Sequence, residues 1–235
     1  MPEPGRKRGR ERVYNAEKTR EAILNAAEAV FAERGFDGTS VDAIAAEAGY
    51  NKSLIFQYFG DKLSLYAQVL KRADREANEL LARVFAPLLE DETAAFHASQ
   101  LRIFLVTMIQ TLFDYLLEHP RFVRMLTWEM AEGWQTYAQI ASQFSTEDRD
   151  QFEVLFHRAR SAGLFRSGFI PTLQLATVGQ VCLTYLASLP LYQRLLPEED
   201  VAAAENLAHA RAYLVDFVVA GMMADPIETK PEKGF

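Results

Sequence analysis

The chain has a single cysteine, Cys182, among its 235 residues. One thiol closes no internal disulfide, which excludes the stapled folds of small secreted domains and suits a reducing cytoplasm. The four histidines, His97, His119, His157 and His209, fall at no metal-ligand spacing. There is no glycine-rich phosphate loop, no Gly-x-Ser-x-Gly elbow and no nucleophile paired with a base, so the expectation is a non-enzymatic protein without cofactor or metal. No run of apolar residues approaches the roughly 20 needed to cross a bilayer. No apolar segment near the N-terminus has the form of a secretory signal, and no membrane partner is expected. Strand-like alternation is missing throughout. Basic charge is scarce too: 25 Lys and Arg face 32 Asp and Glu, a net of −7.

A negative total argues against a polyanionic partner, but the distribution reverses that argument. Residues 1–20 hold seven basic side chains and three glutamates, a net of +4, whereas residues 63–235 hold 15 basic and 22 acidic ones, a net of −7. A basic end on an acidic body gives a polarised molecule that a polyanion can orient.

What the sequence has in abundance is helical periodicity. Asn15 to Arg34 reads as a first helix, with Asn15 as its cap, Ile23, Ala26, Ala27, Val30 and Phe31 on one face, and Gly35 as its stop. In SVDAIAAEAGYNKSLIFQYFGDK, from Ser40 to Lys62, two short helices follow. Ser40 caps the first, Val41, Ile44, Ala45 and Ala48 form its apolar stripe, and Gly49 ends it. The second runs over Lys52–Phe59 and leaves Lys52, Ser53, Phe56 and Gln57 to face outward. Gly60 and Asp61 stop it and cap the next helix. Two helices about a glycine turn, the second with a polar and aromatic outer face, form a helix-turn-helix pattern.

These residues carry a resemblance. From Thr19 to Tyr66, and most closely at Thr39 through Ile44, Gly49, Lys52, Tyr58-Phe59 and Lys62, the chain resembles the DNA-binding segment of the TetR family of bacterial repressors. The resemblance implies an all-α fold, with an N-terminal three-helix DNA-binding module and a C-terminal helical bundle for ligand binding and dimerisation. It implies DNA contacts by Thr39, Ser40, Asn51, Lys52, Ser53, Leu54, Phe56, Gln57, Tyr58 and Lys62. Lys52, Tyr58 and Lys62 take positions that meet DNA, Lys62 at phosphate, and Thr39 and Ser40 place hydroxyls at the backbone. Lys52, Ser53, Leu54, Phe56 and Gln57 take base-reading positions; a glutamine pairs bidentately with adenine, and Phe56 or Leu54 presses on a thymine methyl. Two departures stand out. Phe56 replaces the usual tyrosine, and Asp42 occupies a position that is frequently basic. A carboxylate there repels phosphate unless it accepts from a cytosine amine.

The organisation expected is a disordered basic arm over 1–14, the DNA-binding module over 15–62, an effector-binding and dimerisation domain over 63–224, and a tail over 225–235. The arm is either a solubilising tail or a minor-groove contact through Arg8 and Arg10. Arg8-Gly9-Arg10 resembles the centre of an AT-hook, with Glu11 in place of its proline. A long helix from Asp61 to Leu89 links the two halves. Phe96 to Leu117 is apolar almost all round, as a central buried helix is. Helices then follow over Phe122–Trp134, Thr146–Ala162, Pro171–Ser188 (ended by Pro190) and Glu199–Met223. The last two carry more apolar surface than one core contact uses, which points to a second burial partner; by the resemblance, that partner is a second copy of the chain. A twofold dimer sets two recognition helices about 34–36 Å apart on a palindromic operator.

Phe104, Met108, Met125, Trp128, Trp134, Phe156 and His157 offer large, adaptable apolar surface with a few polar groups, suited to a small hydrophobic or aromatic effector. Each also reads as ordinary core. The function expected is a cytoplasmic, ligand-responsive repressor that binds a palindromic DNA operator as a homodimer. The alternatives are an activator or ligand-independent regulator of the same family, or, from another class, an α-helical enzyme or scaffold.

Overall fold

Helix α1 covers Gly5–Arg34, ten residues more than its expected start at Asn15. In this computed structural model, which describes residues 5–89, 97–143, 147–166 and 170–224, Asn15 lies inside the helix, and its carbonyl accepts from the Thr19 hydroxyl at 2.9 Å. The segment assigned to a disordered arm is therefore helical from Gly5. No proline follows Pro4 there, and its arginines, lysine and glutamate are all good helix formers. The tail over 225–235 lies outside the described residues.

The other helices are α2 (Val41–Ala48), α3 (Lys52–Phe59), α4 (Lys62–Leu89), α5 (Ala98–Glu118), α6 (Pro120–Ala131), α7 (Gln135–Ile140), α8 (Glu147–Ser161), α9 (Pro171–Ala187), α10 (Leu189–Leu195) and α11 (Ala204–Met222). A 3-10 turn, Ala141–Gln143, follows α7. Among the described residues there is no strand; one antiparallel bridge pairs Phe165 with Met223. Three later boundaries shift. The helix expected over Phe122–Trp134 is α6, which ends at Ala131, and Trp134 sits at φ 61° just before α7. Pro190 does not end a helix but sits in the first turn of α10, where a missing N–H costs nothing. The last helix begins at Ala204 and not near Glu199, because residues 196–203 form a connection. There, Gln193 Nε2 donates to the Glu199 carbonyl at 2.7 Å and Asn206 Nδ2 to the Asp200 carbonyl at 2.8 Å.

The chain divides into two compact units, residues 1–74 with 124–144, and residues 75–123 with 145–235. The expected 15–62 module lies wholly within the first. That unit's core is built from the anticipated face of α1 (Ile23, Ala27, Val30, Phe31), with Ile44, Ile55, Phe59, Leu65, Leu70 and Met125. Phe31, Phe36 and Tyr66 meet as an aromatic cluster, with centroids 4.8 Å apart for Phe31–Tyr66 and 5.1 Å for Phe36–Tyr66. Such edge-on and tilted pairs add about 0.5–1.5 kcal/mol each beyond their buried area.

In the second unit, α5 is the central helix. Leu101, Phe104, Leu105, Met108, Ile109, Phe113, Tyr115 and Leu116 are buried on it, and it packs against α9 and α11. Its 21 residues are long and apolar enough, by length and composition, to cross a membrane, so the expectation that no such run exists is corrected. Its buried side is the packing surface of a core helix. An ion pair joins its Asp114 to Arg211 of α11. Cys182 is fully buried on α9, and burial pushes its thiol up to about 11, which makes it an inert core residue.

Candidate nucleic-acid interface

Local capping fixes the α2–turn–α3 geometry. The Ser40 hydroxyl accepts from the Ala43 N–H at 3.1 Å and the Asn51 side chain from the Leu54 N–H at 2.8 Å, so each helix starts on a satisfied donor. Between them Gly49 takes φ 70°, a left-handed conformation that side chains disfavour. The Gly49 and Tyr50 N–H groups close the end of α2 on the Ala46 and Ala45 carbonyls, at 3.4 and 3.1 Å.

With the turn set, α3 has two faces. Ile55 and Phe59 are buried, while Lys52, Ser53, Phe56 and Gln57 are exposed and Leu54 and Tyr58 half-buried. Phe56 is 40% exposed on this eight-residue helix. Ser40 and Asn51 are exposed beside this face, so their hydroxyl and amide serve as caps at its rim.

Thr39 and Lys62 are placed differently from their expected roles. Thr39 is buried, and its hydroxyl donates to the Gly35 carbonyl at 2.6 Å. Lys62 Nζ donates to the carbonyls of Phe36 (2.9 Å) and Thr39 (3.1 Å) and lies 4.1 Å from the centroid of the Phe36 ring. Its ammonium is thus spent on carbonyls and a ring face inside the module. Both residues clamp the Gly35–Thr39 connection. Next to Lys62, the Ser64 N–H donates to Asp61 at 2.7 Å, and this bond holds the Asp61 carboxyl below the usual carboxylate range.

The carboxylate of Asp42, a departure that threatened repulsion, has a partner. Lys52 Nζ lies 2.7 Å from Asp42 Oδ2, across the turn, and 6.0 Å from the centroid of the Phe56 ring. Ten residues separate the two in sequence, beyond the reach of any i,i+4 pattern.

The first unit is also held by contacts of α6, two of them from Glu129 and Arg124, which the sequence did not single out. Glu129 of α6 is buried; one carboxylate oxygen accepts from the Tyr66 hydroxyl at 2.7 Å and the other from the Tyr137 N–H at 2.9 Å. The available signal was a lone acid inside the apolar run MLTWEMA. Arg124 Nε and Trp128 Nε1 both donate to the Ala32 carbonyl, at 3.0 and 3.3 Å, at the end of α1.

The seven expected effector residues are divided between the two units. Phe104 and Phe156 meet edge-on at 6.3 Å in the second unit, where Met108 is also buried, but His157 is exposed. Met125, Trp128 and Trp134 belong to the first unit. Met125 is core there, Trp128 reaches the end of α1, and Trp134 meets Tyr137 edge-on at 5.8 Å. Two open grooves of the second unit are lined by other residues. One, about 440 Å³, lies among Tyr185, Leu196, Val201, His209 and Tyr213; the other, about 250 Å³, lies among Phe113, Asp114, Leu117, Leu207 and Arg211.

Comparison with known proteins agrees with this geometry. Residues 23–69 match the family model described as bacterial regulatory proteins, tetR family, and residues 104–218 match a tetracyclin repressor-like C-terminal domain. The chain is similar to the HTH-type transcriptional repressor NicS of Pseudomonas putida, 26% identical over 90% of this chain and 95% of that one. It is also similar to the HTH-type transcriptional activator FasR of Mycolicibacterium smegmatis, 29% identical over 69% of this chain and 68% of that one. Among solved structures it resembles SmeT, the repressor of the Stenotrophomonas maltophilia multidrug efflux pump SmeDEF. That match has a TM-score of 0.56 and 25% identity, and covers 88% of this chain and 92% of that one.

Proposed function

The chain belongs to the tetR family of bacterial regulatory proteins and is a DNA-binding transcriptional regulator, and from that premise we propose that it is a ligand-responsive repressor acting in the cytoplasm as a homodimer on a palindromic operator. The observation that carries the reading is the outward face of α3, where Lys52, Ser53, Phe56 and Gln57 stand exposed on a helix anchored by Ile55 and Phe59. Lys52 and Tyr58 supply phosphate contacts; Ser53, Leu54, Phe56 and Gln57 read base edges; Ser40 and Asn51 sit at the rim. Thr39 and Lys62 hold the module together and leave the contacting to the others.

Dimerisation is supported by apolar side chains that the second unit leaves in water: Leu173 on α9 is 58% exposed, and Tyr213 and Phe217 on α11 are 68% and 60% exposed, their rings stacked at 6.4 Å. A second copy covers them in a symmetric contact. The effector is a small hydrophobic or aromatic molecule. Release from DNA requires that it bind the DNA-incompetent state more tightly, since equal affinity shifts no equilibrium. Helix α4, unbroken from Lys62 to Leu89 and shared by both units, carries the change. Activation is the second reading, favoured by the similarity to FasR, which is named as an activator.

The test is selection of duplexes from a random pool by the purified protein, repeated with Lys52→Ala/Tyr58→Ala. Enrichment of an inverted repeat by the wild type, lost in a variant that keeps its helicity and dimer, supports the reading. Equal recovery of random duplex by both proteins overturns it.

A further inference from the structure

Lys52 is the first residue of α3, where the helix dipole is positive and a cation is least welcome. Its ammonium is nevertheless held at one place, 2.7 Å from Asp42 Oδ2 on α2 and beside the exposed Phe56 ring. Both members of the pair are open to solvent, Asp42 more than Lys52. Within the α3 segment Lys52 is the only basic residue, so the sole cation of the reading helix is paired with a carboxylate when no DNA is present.

We propose that Asp42 sets the discrimination between matched and random DNA by holding Lys52. This rests on the assignment of α3 as the reading helix. When the face meets a random duplex, Lys52 reaches a phosphate only by leaving Asp42, and the carboxylate is then left unpaired against a polyanion. The new bond to phosphate is offset by the broken ion pair, so non-specific binding is strengthened little by this residue. A matched duplex offers a remedy, because a cytosine N4 amine in the major groove donates to a carboxylate. There the released Asp42 acquires a new partner, and Lys52 pairs with phosphate at no net loss. The acid is a repulsive element that acts against the wrong partners. It also explains how a base-reading helix with one cation tolerates an acidic neighbour.

The experiment measures the affinity of wild type, Asp42→Asn, Lys52→Ala and the double variant for two probes over a range of salt. The probes are a 30-base-pair random-sequence duplex and the duplex most enriched by the wild type from a random pool. Asparagine keeps the size of the exposed side chain, and circular dichroism checks that helicity is retained. Asp42→Asn is expected to raise affinity for the random duplex by about tenfold, and for the enriched duplex by less than about threefold. It also steepens the salt dependence on random DNA by about 0.9 in log–log slope for each protomer engaged. In the Lys52→Ala background the increase is smaller than in the wild type, because only the repulsion between Asp42 and phosphate is relieved there and no ion pair is released. The motif selected by Asp42→Asn in a fresh round loses a cytosine preference in each half-site. Equal increases on the two probes, or the same increase with and without Lys52, overturn the role of Asp42 while leaving DNA recognition by α3 intact. A wild-type protein that binds neither probe overturns both.

Discussion

The Tyr66 hydroxyl donates to Glu129 at 2.7 Å inside the first unit, joining α4 to the end of α6 through a carboxylate that is fully buried. The other oxygen of that carboxylate takes the Tyr137 N–H, so the acid is satisfied only while both donors stay in place. Removing one donor strands a buried charge, a far larger loss than the bond alone is worth.

Tyr66→Phe, which leaves the buried carboxylate short of a donor, should therefore lower unfolding stability by about 3 kcal/mol or more, and Glu129→Ala, which leaves two neutral donors unpaired, by about 1–3 kcal/mol for each donor. Urea unfolding reads this as a lower midpoint at unchanged slope. The pH dependence has a definite sign. Burial first, then the bond to Glu129, raise the Tyr66 hydroxyl above its ordinary value of 10.0. A raised folded value means that the stabilisation is complete below pH 10 and is lost as pH climbs past it, by about 1.4 kcal/mol per pH unit. Above pH 10 the wild type should lose stability more steeply than Tyr66→Phe; parallel curves would refute the coupling.

Lys62→Ala should act on the fold more than on DNA. Its ammonium bonds to the Phe36 and Thr39 carbonyls, and their loss should cost about 1–3 kcal/mol and lower the melting temperature by several degrees. The slope of log affinity against log salt should stay as in the wild type. A slope shallower by about 0.9 per protomer would instead make Lys62 a phosphate ligand.

Gly35→Ala places a Cβ at φ 70°, with the Trp128 ring 3.1 Å away. The conformation alone costs about 1–2 kcal/mol, and the ring must also give way. Trp128 reports this directly, because its Nε1–H donates to Ala32. The variant should show both a lower denaturation midpoint and a shifted tryptophan emission. Wild-type emission would show that the ring does not feel the substitution.

Phe217→Asp puts a charge on the outward face of α11, where the ring is 60% exposed. Sedimentation should show the variant as a monomer at concentrations where the wild type is a dimer, with little change in helicity. Persistence of the dimer would place the subunit contact on another surface.

The helices and their punctuation were legible in the sequence because the signals are local. Ser40, Gly49 and Gly60 are found where capping places them, and the anticipated apolar face of α1 is buried. The start of α1 was not legible, since a charged stretch with few breakers resembles a disordered arm as much as a helix. Side-chain destinations were harder to foresee. Thr39 and Lys62 turn inward because the chain after Gly35 presents carbonyls to them, which spacing does not encode. Asp42 and Lys52 meet only once α2 and α3 are folded across their turn. An effector set was not legible for a related reason: bulk and polarity are shared by core residues such as Met125 and by surface residues such as His157.

Arg72 of α4 reaches three side chains of α1: its Nη1 donates to Asn25 Oδ1 at 2.7 Å and to Glu21 Oε2 at 3.2 Å, and its Nη2 pairs with Glu28. Those three positions climb α1 in steps of about one turn, each near 5 Å along the axis. A planar fork fitted to that ladder acts as a tooth in a rack, and sliding by one rung would leave it without its mates. The two rods are indexed lengthwise, so a push arriving along α4 must carry the reading head bodily, without letting it slip.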